Sequence, residues 1–104
     1  LPVHQQLHRK LVELEAQLPG DAWLLSQHAL GPYLHHPLHR PFTARDERCS
    51  VAGLAAGSVI VLSDAVNDAG ITDLPACLAA LQQEPTAERL DQYQPLQVFR
   101  MRVP

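Results

Sequence analysis

The sequence predicts a small α/β domain: an open, mostly parallel sheet of three to four strands flanked by helices, a Rossmann-like three-layer sandwich. Three observations carry that expectation. Val3, Leu7, Leu11, Leu14 and Leu18 recur at helical spacing and draw one apolar stripe. Two short segments, residues 22–26 and 58–62, are apolar on both faces, as strands in the middle of a covered sheet are. Helical patterns alternate with these strand patterns, the order that joins parallel strands through crossovers.

Each element has a local cause. The first helix carries its polar residues, such as Arg9, Lys10 and Glu13, off the leucine stripe, and Pro19-Gly20 stops it. Residues 22–26 then read as a strand. Residues 28–36 read as a short helical or turn-like stretch broken at Gly31-Pro32, since proline suits a first turn but not a helix interior. Pro37 and Pro41 bracket an extended piece, with Phe42-Thr43 as an edge strand. Residues 44–50 are polar loop, and 51–57 are rich in Ala and Gly. Residues 58–62 form the clearest strand, β-branched and uninterrupted. A second helix follows the 63–71 loop. Thr72 or Asp73 caps it, Pro75 sits in its first turn, and Leu74, Cys77, Leu78 and Leu81 form its buried face. Pro85 ends it, a turn occupies 86–91, and a last strand runs over about 96–102 with Phe99 and Met101 on one face.

Composition bounds the function. At 104 residues the chain is one domain, 1–104. Its net charge of -3 offers no basic stripe for nucleic acid, so no nucleic-acid partner is expected. No apolar run reaches the roughly 18 residues of a membrane span. No apolar segment of a secretory signal is visible near the first residues. The chain starts at Leu1 rather than Met, which suggests a segment of a longer protein.

Four groups of residues invite chemistry. His28, His35, His36 and His39 fall within twelve residues, and imidazole is the commonest metal ligand, so His35, His36 and His39 are candidate metal ligands. Against this, adjacent histidines in a proline-rich stretch do not share a helix face, and solvated loop residues account for them too. Asp64, Asn67 and Asp68 follow the central strand, where open α/β sheets bind ligands, and are candidate ligand-binding residues. Turn chemistry also favours Asp and Asn there. Cys49 and Cys77 are a candidate disulfide in an oxidising compartment, or two part-buried thiols. Finally, Ser26 and Ser63 lack a nucleophile elbow, and Gly53 and Gly57 precede a strand rather than follow one, the wrong order for a phosphate cradle. No catalytic residue and no cofactor is expected.

Several local features occur together. They are Leu18-Pro19-Gly20-Asp21-Ala22 before the first strand, His28-Ala29-Leu30-Gly31-Pro32-Tyr33-Leu34 after it, the segment His39-Arg40-Pro41-Phe42, the strand from Ser58 to Asp64, and the closing Gln97-Val98-Phe99-Arg100. This set resembles the soluble, extracytoplasmic tail domain of multi-spanning bacterial membrane proteins of the lipid-linked-sugar glycosyltransferase type. The resemblance implies a non-catalytic accessory domain at the periplasmic, extracytoplasmic face of the bacterial inner membrane. Its partners would be the membrane-embedded remainder of the parent protein and a glycan or lipid-linked sugar. The family's catalytic residues lie between membrane helices, so none maps here. The alternatives are a free-standing cytoplasmic interaction or assembly module, and a small metal-binding protein built on the histidine cluster.

Overall fold

The computed structural model describes residues 2–43, 49–66 and 70–103. Helix α1 (Pro2–Gln17) opens the chain and buries Leu7, Leu11 and Leu14. Strand β1 (Leu24–Ser26) follows, then a 3-10 segment (His28–Tyr33) and β2 (His39–Pro41). Strand β3 (Val59–Leu62) leads to helix α2 (Leu74–Gln83), then β4 (Ala87–Arg89), a second 3-10 segment (Asp91–Tyr93) and β5 (Gln97–Met101). The start of α2 has a clear cause. Asp73 accepts from the Ala76 N–H at 3.1 Å, satisfying a donor that the helix cannot, and Pro75 occupies the first turn.

The five strands form one sheet in the order β2-β1-β3-β5-β4. Pairs β1–β2 and β1–β3 are parallel, whereas β3–β5 and β4–β5 are antiparallel. The expected mostly parallel, three- to four-stranded Rossmann-like sandwich is therefore incorrect: the sheet is mixed and larger. The reason lies in β4, within the stretch read as a turn. Helix α2 carries the chain from β3 to β4 as a crossover, and β5 then returns between them, antiparallel to both. With β4 overlooked, the strand after α2 is taken for the crossover's end and given the wrong direction.

Strand alternation sends neighbours to opposite faces. Leu24, Val59, Val61 and Val98 pack against α1 in one core; Leu25, Ile60, Leu62, Phe99 and Met101 pack with Cys77 and Leu81 of α2 in the other. The edge strand also differs from expectation, falling at His39–Pro41 rather than at Phe42-Thr43. The Leu24 N–H reaches Leu38 O (2.8 Å) and the Phe42 N–H reaches Ser26 O (2.6 Å). The alternation places the nitrogen of Pro41 on the open side, where its missing N–H costs nothing. Trp23 is 37% exposed beside that edge, with the Arg40 guanidinium 5.1 Å from its ring centroid.

Candidate functional site

His35, His36 and His39 follow the 3-10 segment and are tied down individually rather than gathered. Glu15 of α1 accepts from the backbone N–H groups of His35 and His36, both at 2.7 Å, which pins this stretch to the helix. The His36 ring meets Ala22 O through Nε2 at 2.7 Å; a carbonyl only accepts, so Nε2 carries the proton. His39 Nε2 lies 2.8 Å from Ser26 Oγ, whose own proton goes to Gln27 O at 3.0 Å. His39 is thus the donor, the reverse of what activating a serine requires, and Ser26 is fully buried. His35, His36 and His39 do not converge as ligands. Among the described residues no three His, Cys, Asp or Glu side chains are grouped to hold a metal ion.

His39 titrates below its ordinary value of 6.5 because burial disfavours the imidazolium; Glu15 pulls it up, and His36 pushes it down. Its folded-state pKa lies below that of the unfolded chain, so the unfolded chain binds more protons in this range. The stability it contributes is complete above pH 6.5 and declines as pH falls toward the folded pKa. Wild type should therefore lose more thermal stability between pH 7.5 and pH 5 than His39→Gln, whose amide can still donate to Ser26. Equal losses in paired melting curves would contradict this.

At the carboxyl ends of β1 and β3, Gln27 bridges the strands beyond their last pair. It accepts from the Ser63 N–H at 2.6 Å and donates to Ser63 O at 3.0 Å, extending the ladder through a side chain. Gln27 and Ser63 are both buried. Ser63 Oγ is used locally as well, accepting from the Ala65 N–H at 3.1 Å. Of the candidate ligand residues here, Asp64 is exposed, while Asn67 and Asp68 lie outside the described residues.

A cavity of about 340 Å³ opens at the other end of the sheet, near the amino ends of β1 and β3. Its size falls within the range of small-molecule sites. Leu14, Leu18, Val59 and Leu90 supply apolar lining; Gln17, Asp21, Gln92, Tyr93 and Arg100 supply polar groups. The Tyr93 hydroxyl donates to Gln17 Oε1 at 2.9 Å, which orients the amide and leaves its Nε2 as a donor. Arg100 also pairs with Glu88 across β4–β5 at 2.9 Å, and this bond and charge hold the Glu88 carboxyl below its ordinary range. Gly57, with φ +88° and nothing within 4 Å of where a Cβ would stand, turns the chain into β3 beside the cavity. Sequence reasoning missed this cleft. Asp21 reads as a turn residue and Arg100 as a strand residue, and only the fold brings them together.

Cys49 and Cys77 form a disulfide with a Cα–Cα distance of 4.9 Å, inside the usual range. It joins the segment entering β3 to α2. Among the described residues no helix is long and apolar enough to cross a membrane. Set against known proteins, the chain matches no family model, no curated protein and no solved structure.

Proposed function

We propose that this chain is a non-catalytic accessory domain of a larger membrane protein, working at an extracytoplasmic face and positioning a glycan-like substrate in the α1-side cleft. The observation that carries this reading is the cleft's lining. A carboxylate, a guanidinium, two amides and a tyrosine hydroxyl stand around apolar side chains, with no nucleophile and base paired among them. A polyhydroxylated ligand suits such a mixture. Its hydroxyls donate to Asp21 and to amide oxygens and accept from Gln17 Nε2 and Arg100, while its C–H surface rests on leucine. The disulfide supports an oxidising compartment, because such bridges persist outside the reducing cytosol.

The test is titration with neutral mono- and disaccharides, followed by amide chemical shifts. Shifts should cluster at Gln17, Asp21, Gln92 and Arg100 and disappear in Asp21→Ala. If no saccharide perturbs these residues at up to about 10 mM, a range that detects even weak binding, the glycan reading fails.

A further inference from the structure

Residues 49–57 cross the α2 face of the sheet on their way into β3, and they are attached in an unusual manner. Among the described residues, the hydrogen bonds of 49–56 run only to one another or to Ser58. The Ala52 N–H reaches Ser50 Oγ (3.2 Å), the Leu54 N–H reaches Val51 O (3.2 Å), and the Ser58 N–H reaches Ala55 O (3.1 Å). The segment gives the sheet its first hydrogen bond at Gly57, whose N–H donates to Met101 O at 2.9 Å. At the other end it is held by the Cys49–Cys77 bond to α2. Between these anchors only part-buried Val51 and Leu54 pack against the core.

Two further features mark this segment. Cys49 has φ +50°, a left-handed conformation that side-chain-bearing residues adopt at a cost, at the residue that carries the covalent tether. A groove of about 550 Å³ lies along the segment, with Ala80, Glu84, Thr86, Met101 and Arg102 on its other walls; Cys49 lines it and Cys77 does not.

We infer that residues 49–57 are a redox-controlled strap. Bonded, it forms one wall of the groove; reduced, it swings away while the sheet stays folded, opening the α2 face around Met101 and Ala80. The reductant is a dithiol. Both cysteines are buried, so one thiolate reaches the Cys49 sulfur from the groove side as the segment lifts locally; the disulfide breaks, and Cys77 leaves as a thiolate and takes up a proton. The second thiol then displaces Cys49 from the mixed disulfide. Two electrons and two protons pass to the protein, and the dithiol ends as a disulfide. This inference does not depend on the α1-side cleft or on its ligand.

Limited proteolysis of the full chain with elastase, with and without dithiothreitol, tests it. Val51, Ala52 and Ala55 offer cleavage sites in the strap, while Val59, Val61 and Val98 serve as controls in the sheet. Reduction should raise cleavage in the strap about tenfold or more and leave the sheet sites uncut, since nicking follows the population of the open form. Cys77→Ser should be cut at the reduced rate and ignore dithiothreitol. Unchanged strap cleavage on reduction overturns the inference. So does cleavage rising together at strap and sheet sites, because that is unfolding of the whole domain.

Discussion

Replacing Gln27 by leucine is expected to destabilise the protein by about 3 kcal/mol, because it strands two buried backbone groups at once. The Gln27 amide is the partner of both the N–H and the carbonyl of Ser63 at the end of β3. Leucine matches the buried volume closely but offers neither a donor nor an acceptor. For a domain of this size the melting temperature should fall by roughly 10–20 °C. A second substitution isolates the hydrogen-bond contribution. Gln27→Glu keeps an acceptor for the Ser63 N–H, but its ionised carboxylate turns an oxygen toward Ser63 O. Burial and that carbonyl favour the protonated form, so the folded pKa of the introduced carboxyl rises above its unfolded value of about 4.3. Its stabilising contribution is then present at acid pH and lost as pH rises through the folded pKa, opposite in sign to the trend set by His39. Melting curves for Gln27→Glu at pH 5 and pH 7.5 read this directly. A variant no less stable at pH 7.5 than at pH 5 would mean that the bridge is not made as described.

Some of this architecture was legible in the sequence and some was not. The leucine stripe of α1, the Val59–Leu62 strand and the Asp73 cap with Pro75 are local signals, set by periodicity, β-branching and capping chemistry, and such signals survive without knowledge of the fold. Strand β4 carries no such signal. Ala87-Glu88-Arg89 is three residues long, buries only Ala87 and contains no β-branched residue. Its strand state comes from pairing with β5, and missing it inverted the expected direction of β5. The histidines misled for a related reason. A run of ligand-type side chains is visible in the sequence, but the carbonyl of Ala22 and the hydroxyl of Ser26 that occupy two of those rings become neighbours only after folding. The cleft residues Gln17, Asp21, Gln92 and Arg100 come from opposite ends of the chain and share no motif. A cleft assembled from ordinary polar residues of a helix end, loops and a strand leaves nothing for pattern reading to find.

The α2-side core should be the domain's most sensitive point, and Phe99→Ala should show it with a loss of about 3–5 kcal/mol. Phe99 is fully buried in β5, opposite Ile60 of β3 and Arg89 of β4, and its ring belongs to the cluster that includes Cys77 and Leu81 of α2. Its neighbours cannot collapse freely into the space it leaves. The sheet backbone is fixed by ladders on both sides of β5, and α2 is tethered to the segment before β3 by the disulfide. Most of the cavity should therefore persist, placing the cost at the upper end for such truncations. Phe99→Leu, which refills much of the volume, should cost about 1 kcal/mol. Denaturant unfolding of both variants gives the comparison. Because the ring points away from α1, amide shifts of Gln17, Asp21 and Arg100 should stay at their wild-type positions while each variant remains folded. A Phe99→Ala loss below about 1 kcal/mol would be too small for a filled, doubly covered sheet. It would mean that α2 does not close this face, and the strap across that face would lose the surface it is inferred to uncover.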